Sequence, residues 1–404
     1  MRVLYVCADA GIPLDGTKGA AVHVRQTIGA LQRRGVEVTV LAARPGEPGA
    51  VRGLILPAGN LRSLDRGRSQ GRLAAEMEAL ASARDLEARV PLLFGDVDVI
   101  YERYSLWSLA GAVLAERLAA PLVLEVNAPL VEEQARHRGI SLFGIAGEIE
   151  RFLARRADMV LCVSSALRER VARLRGSHEE VHLFPNSVDI ERFRPGPTSG
   201  QGSGGSEAND TVIIFTGSFK PWHGVLDLLE AFALLLNRRE HCRLILVGDG
   251  PEQERLRKRV AELSIGSKVT LTGPVRHEEV PALLAVADIA VAPYPLLNDF
   301  YFSPMKLGEY LAAGLPVVAT TCGDMDPLLR DGESALRVSP GDVTGLAGAI
   351  LRLVDDPNLR RRLGRAGRRV AEEHLSLDAA AGRLVGLLQG LHERGSAARE
   401  TMAR

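Results

Sequence analysis

The feature that most constrains this chain is a repeated alternation. A short apolar run is followed by a polar loop, and then by a stretch whose apolar residues fall three and four apart. Residues 3–7, 36–40, 97–101, 122–126, 159–163 and 181–184 read as strands, and 20–34 reads as a helix with Val24, Ile28 and Leu31 on one face and Gly35 as its stop. A Pro/Gly/Ser segment at 195–206 has no period and reads as a flexible linker. The alternation then restarts. Strands are expected at 212–216, 244–248, 269–272, 289–292 and 316–320. Helices are expected at 225–236, 251–263, 344–354, 358–374 and 377–391, with the last ten or so residues frayed. Strands alternating with helices make parallel sheets covered on both faces. The expected architecture is therefore α/β, with two doubly wound domains at 1–194 and 211–375, a linker at 195–210 and a helical segment at 376–404.

Composition narrows the function. Fifty Lys plus Arg balance fifty Asp plus Glu, which removes a global electrostatic case for nucleic acid as a partner. Cys7, Cys162, Cys242 and Cys322 are far apart in sequence, so they read as buried thiols of a reducing compartment, not as disulfides or zinc ligands. No run of 18 apolar residues exists and the N-terminal run is short for a signal peptide, so a cytoplasmic protein is expected. Only five of the fifty cations are lysines, namely Lys18, Lys220, Lys258, Lys268 and Lys306.

In open α/β sheets, ligands bind beyond the carboxyl ends of the strands. Three such loops end at a helix start with a lysine. The first runs through Gly16, Lys18 and Gly19; the second holds Ser218, Lys220, His223 and Gly224; the third holds Ser303, Pro304, Met305 and Lys306. Ser303 is the expected N-cap and Pro304 the first helical residue, with Lys306 and Glu309 on one face and Gly314 after the helix. Free helix amides plus lysines suit a diphosphate; solvated surface charges and a plain Lys–Glu surface pair are the competing reading. Asp96/Asp98 and Asp324/Asp326 are short acidic pairs, too little to expect a metal. No Gly-x-Gly-x-x-Gly is present, which weighs against a dinucleotide dehydrogenase.

Four stretches resemble glycosyltransferase family 4: 18–25, Phe184-Pro185-Asn186-Ser187-Val188-Asp189 through Phe193, Leu246-Val247-Gly248-Asp249-Gly250-Pro251, and 309–319. The subset with Ser-Pro-x-Lys-x-x-Glu-Tyr matches best. The resemblance implies the GT-B fold: two Rossmann-like domains with a cleft between them and a C-terminal helix crossing back to the first. It implies a retaining, metal-independent enzyme without a cofactor. A nucleoside diphosphate sugar is the donor, and a glycan, lipid-linked or small-molecule hydroxyl is the acceptor. Glu309 then holds the ribose, and Tyr301 stands where the family has a first Glu. Ser218 and His223 stand where it has Arg and Lys, so Lys220 and Lys306 are expected to supply the charge that those two do not, with His223 beside them at the leaving diphosphate. Gly19, Ser218, Gly248, Val275, Arg276, Tyr301, Ser303, Pro304 and Met305 fall to the donor. Lys18, Arg103 and Asn127 fall to the acceptor, Asn127 replacing a family His. Arg103 as a surface ion pair and Asn127 as a turn residue before Pro129 stay open. The arginine-rich stretch 44–72 reads either as a face for an anionic membrane or as ordinary solvated surface. A silent sugar-nucleotide binder, and an epimerase or phosphorylase on a similar fold, are the alternatives.

Overall fold

A computed structural model of the chain describes residues 1–46, 55–57, 69–89, 96–196, 210–297 and 299–403. They form two compact units. The first comprises Met1–Gly16, Ala20–Pro185 and Ala380–Arg404; the second comprises Thr17–Gly19 and Asn186–Ala379.

The first unit holds strands β1 (Arg2–Cys7), β2 (Glu37–Ala42), β3 (Ile55–Pro57), β4 (Val99–Arg103), β5 (Leu122–Val126), β6 (Met159–Cys162) and β7 (Val181–Leu183). Its helices are α1 (Gly19–Arg33), α2 (Ser69–Arg89), α3 (Ala110–Arg117), α4 (Leu130–His137), α5 (Phe143–Arg156) and α6 (Ser165–Arg175). The strands make one parallel sheet in the order β3-β2-β1-β4-β5-β6-β7. β5 is buried along its whole length, as a central strand covered on both faces must be. The strand order reverses between β1 and β4, which makes their carboxyl ends the switch point where such sheets bind ligands.

The second unit holds β8 (Thr211–Thr216), β9 (Cys242–Val247), β10 (Val269–Gly273), β11 (Ile289–Ala292), β12 (Val317–Ala319) and β13 (Leu336–Arg337). Between and after them lie α7 (Val225–Leu236), α8 (Gln253–Glu262), α9 (Val280–Ala285), α10 (Met305–Ala312), α11 (Val343–Asp355), α12 (Pro357–His374) and α13 (Leu377–Ala403). The parallel order is β10-β9-β8-β11-β12-β13, with its reversal between β8 and β11. Both units are thus doubly wound, as the alternation predicts.

Several expectations are corrected. β4 begins two residues later than the apolar run suggests, because the Asp98 carboxylate accepts the Arg2 amide at 2.7 Å and closes the turn ahead of it. The stretch 186–194 belongs to the second unit. Val188 exchanges backbone hydrogen bonds with Leu375 and Leu377, both 2.8 Å, and the Phe193 ring lies in that unit's core. α13 does not fray after 391 but runs to Ala403. From Ala380 it belongs to the first unit, where Leu384, Leu388 and Leu391 join Val3, Tyr5, Ile28 and Leu31 in the core. Residues 197–209 of the expected linker, and most of the arginine-rich stretch 44–72, lie outside the described residues. All four cysteines are buried and free.

Candidate functional site

In the second unit the loops after β8 and β9 interlock through their backbones. Gly217 N donates to Val247 O (2.9 Å), Phe219 N to Asp249 O (2.7 Å) and Glu252 N to Phe219 O (3.0 Å). Gly248 has φ +131°, and a Cβ there would stand 2.1 Å from the Gly217 carbonyl, so only glycine permits this approach. Phe219, fully buried, anchors the loop. A single 3-10 turn, Pro221–His223, then leads to Gly224 and α7.

α10 is buried from Lys306 to Ala312. Lys306 is 9% exposed. Its ammonium lies 4.0 Å from the Phe215 ring centroid and 5.5 Å from that of Tyr294. A Cβ on Gly217 would come within 2.8 Å of Nζ, so the cation stands directly at the glycine turn. Nζ has no hydrogen-bond partner among the described residues. Burial pushes its pKa down to about 7, against the opposing pull of Glu309. Glu309 is itself buried and receives His277 Nε2 at 2.7 Å on Oε1, while the His277 ring packs against Phe193. The competing surface-pair reading of Lys306 and Glu309 therefore fails. The neighbouring Tyr310 hydroxyl accepts the Thr216 amide at 2.7 Å and fixes α10 against β8.

His223 donates from Nδ1 to the Ser218 carbonyl at 2.5 Å. Burial, followed by the Lys306 and Lys220 charges, pushes its pKa down to about 2. His223 is thus neutral. With Nδ1 protonated, Nε2 carries a lone pair that suits a hydroxyl, not a phosphate oxygen. Lys220 Nζ lies 4.8 Å over the Trp222 ring. Ser303 is not the N-cap. Its hydroxyl accepts the Asn186 amide (3.1 Å) and its carbonyl accepts Asn186 Nδ2 (2.7 Å), so Pro304 takes the cap position and the helix starts at Met305. Tyr301 stacks edge-on against Phe302, half-buried. Val275 packs on the core, whereas Arg276 is exposed beside Glu278. Lys18 and Gly19 are exposed and group with this unit.

The first unit holds a second polar cluster at its switch point. Glu125, 3% exposed, accepts His23 Nε2 and Asn127 Nδ2 (2.9 Å) on Oε1, with Arg103 Nη1 at 3.9 Å. Tyr5 OH lies 3.5 Å from Oε2. Burial alone would raise the Glu125 pKa, but the His23, Arg103 and Asn127 groups outweigh it and hold the carboxyl at about 2. Arg103 is thus part of a buried network, not a surface ion pair. Sequence reading missed His23 and Glu125. A His on the buried face of α1 and a Glu inside an otherwise apolar strand were the available signals.

Of the acidic pairs, Asp96 and Asp98 are held by Arg2, and Asp326 by Arg337 and the Cys322 amide. Among the described residues no group of three His, Cys, Asp or Glu converges to hold a metal, and no helix is long and apolar enough to cross a membrane.

Comparison with known proteins gives a consistent result. Residues 17–192 match the family model described as Glycosyltransferase Family 4, and 210–356 match that of Glycosyl transferases group 1. The chain is 30% identical over 326 residues to an MMP alpha-(1->4)-mannosyltransferase of Mycolicibacterium hassiacum, covering 77% of this chain and 74% of that protein. It is 29% identical over 388 residues to a D-inositol 3-phosphate glycosyltransferase of Acidothermus cellulolyticus, covering 89% and 81%. In fold it resembles sucrose-phosphate synthase of Thermosynechococcus elongatus (TM-score 0.72, 22% identity, 98% and 100% covered). It also resembles Anabaena HepE solved with UDP-glucose (TM-score 0.71, 20% identity, 96% and 100% covered).

Proposed function

The chain belongs to glycosyltransferase family 4, and from that premise we propose that it transfers a hexose from a nucleoside diphosphate sugar to an acceptor hydroxyl with retention at the anomeric carbon. The observation that carries this reading is the Lys306 ammonium, buried at the carboxyl end of β8 with no hydrogen-bond partner among the described residues. A buried cation without a partner is costly, and an anion at the glycine turn relieves it.

As the anomeric bond breaks, charge builds on the β-phosphate, and fixed cations stabilise it there more than in the ground state. Lys306 and Lys220 supply that charge. His223 Nε2 accepts a hydroxyl of the transferred sugar. Glu309, oriented by His277, offers its second oxygen to the ribose. Gly19, Ser218, Gly248, Val275, Arg276, Tyr301, Ser303, Pro304 and Met305 line the donor, the base being read by backbone near Gly248 and Val275. Arg103 and Asn127 hold the acceptor. The acceptor hydroxyl attacks on the face the diphosphate leaves and gives its proton to the departing phosphate, so neither a protein nucleophile nor a metal enters. The names of the relatives, a mannosyltransferase and an inositol-phosphate glycosyltransferase, support glycan, glycolipid or small-molecule acceptors.

Chromatography of reactions containing GDP-mannose, UDP-glucose or UDP-N-acetylglucosamine in EDTA, with sugar and polyol acceptors, tests this reading. One donor is expected to turn over. Lys306→Met is expected to lose about 100-fold or more in kcat, the scale of one transition-state charge contact. Full turnover by that variant sinks the assignment, and nucleotide binding without transfer points to a silent binder.

The protein's place is the cytoplasm, for which the four buried thiols speak, with peripheral contact at the inner face of the membrane. Supporting the contact, Leu73 and Met77 of α2 and Phe143 and Ile145 of α5 are all exposed. Glu76 ties the two helices together by accepting the Ser141 and Leu142 amides. Arg72 of α2, and Arg136 and Arg138 a few residues ahead of α5, stand nearby in sequence. Sedimentation with vesicles containing phosphatidylglycerol is expected to carry the chain down, and the double change Phe143→Ser, Ile145→Ser to reduce this at least tenfold. Equal sedimentation of both proteins contradicts the contact.

A further inference from the structure

α10 carries both Lys306 and Glu309, and a stretch without regular structure holds that helix from end to end. Residues 186–195 touch it at its start, middle and close. At the start, Asn186 N donates to Ser303 Oγ (3.1 Å) and Asn186 Nδ2 to the Ser303 carbonyl (2.7 Å). In the middle, Val188 packs on Gly308, where a Cβ would stand 3.3 Å from the valine Cβ. At the close, Pro195 lies against Gly314, where a Cβ would stand 2.9 Å from Pro195 Cγ. Between these points the buried Phe193 ring packs on His277, which holds Glu309.

One side chain joins the two pieces. The end of a helix leaves carbonyls without partners inside it. In α10 the turn at Gly314 recovers two of them: Gly314 N donates to the Leu311 carbonyl (3.0 Å) and Leu315 N to the Tyr310 carbonyl (3.1 Å). The Ala312 carbonyl accepts Arg368 Nη1 instead, at 2.7 Å. The same nitrogen donates to the Ile190 carbonyl (2.9 Å) and the Phe193 carbonyl (2.7 Å). Two stretches far apart in the chain thus share one guanidinium nitrogen. Arg368 reaches them because α12 lies close: a Cβ on Gly364, one turn earlier, would stand 2.1 Å from the Gly314 carbonyl. Nε of Arg368 donates to Glu372 at 2.7 Å, but that carboxylate is largely exposed and contributes little. The guanidinium, 18% exposed, is spent on carbonyl dipoles, as suits a cation at the carboxyl end of a helix.

We infer that Arg368 is a positioning residue: it locks the segment 186–195 to the end of α10 and so fixes Lys306 and Glu309 at the glycine turn, without touching substrate itself. This rests on the reading of Lys306 and Glu309 as donor-binding groups and names what holds them. Without Arg368, three carbonyls lose their donor and the segment loosens from the helix. His277 then loses the fixed Phe193 ring behind it, and Glu309 loses its orientation. Both groups must be ordered again when the donor binds, which lowers affinity.

Two measurements on the full chain test this: hydrogen exchange without ligand, and calorimetric titration with GDP, UDP, ADP and dTDP. Arg368→Met is expected to speed exchange across α10 about tenfold or more while β9 and β11 keep their protection, and to weaken the nucleotide about tenfold. Arg368→Lys is expected to recover most of both, because an ammonium offers three protons to the three carbonyls. Glu372→Gln leaves those carbonyls held and is expected to match the wild type. Should Arg368→Met not fold, Asn186→Ala frees the other end of α10 from its side-chain bond to Ser303, and is expected to speed exchange in the first turn and weaken the nucleotide. The inference is overturned if Arg368→Met, or Asn186→Ala in its place, exchanges and binds like the wild type. It is equally overturned if exchange rises evenly through β9 and β11, as plain destabilisation would cause, or if Arg368→Lys recovers nothing. Failure of the wild type to bind any of the four nucleotides strikes the donor reading instead, and the exchange pattern still decides whether Arg368 fixes α10.

Discussion

Lys306 shows how one residue can be both a liability and a function. Its pKa falls from 10.5 to about 7 because burial disfavours the ammonium. Between pH 7 and 10.5 the unfolded chain therefore holds a proton at this site that the folded chain has released. Stability from this group rises as pH climbs through that window, and the full penalty applies below pH 7. Lys306→Met removes the titration while keeping an unbranched side chain of similar length. At pH 6 the variant is expected to be about 2–5 kcal/mol more stable than the ligand-free wild type, with the gap closing toward pH 10.5, as read from denaturant melts across that range. A gap independent of pH would contradict the burial account. The spacing of Lys306 and Glu309 was legible in the sequence, and so was a helix start after Ser303. What the sequence could not show is that both side chains point inward, or that His277 and Phe193 close around Glu309 from other elements. The His23–Glu125 pair was missed for the same reason: the two residues lie on α1 and β5, and only the fold brings them together.

At the scale of elements, the long apolar runs were readable because a strand covered on both faces stays apolar at nearly every position. β3 and β13 were not, having three and two residues and no period to detect. α2 mixes apolar and charged residues without a clean stripe, and the eye finds no helix there. α13 carries a different lesson. Its existence was expected, but its reach was set by packing: Leu384, Leu388 and Leu391 complete the first unit's core although they stand at the far end of the chain. Leu388, fully buried, is the sharpest test. Leu388→Ala is expected to cost about 2–5 kcal/mol, seen by hydrogen exchange as earlier opening of β1, β2 and β4, while nucleotide binding by the second unit persists at low denaturant. Unchanged protection in those strands would mean that α13 contributes little to that core.

For the whole molecule, two doubly wound sheets arise from one repeated instruction, apolar strand then amphipathic helix, and this was legible throughout. The boundary between the units was not, because 186–194 carries no regular pattern. Its membership is decided by backbone bonds from Val188 to Leu375 and Leu377. Each unit then places polar side chains at its own switch point. The second gathers a buried cation, a neutral histidine and a histidine-held carboxylate. The first gathers an ionised glutamate with His23, Asn127 and Arg103 around it. The central claim is that the second unit binds a nucleoside diphosphate through Lys306 without a metal. Calorimetric titration of wild type and Lys306→Met with GDP, UDP, ADP and dTDP in EDTA, at pH 6.5 and 8.5, tests it most directly. One nucleotide is expected to bind the wild type, roughly twentyfold more tightly at pH 6.5, because binding must protonate Lys306, and the variant should lose both the affinity and its pH dependence. Binding by the variant equal to that of the wild type, binding that appears only when magnesium replaces EDTA, or no binding at all would contradict the account.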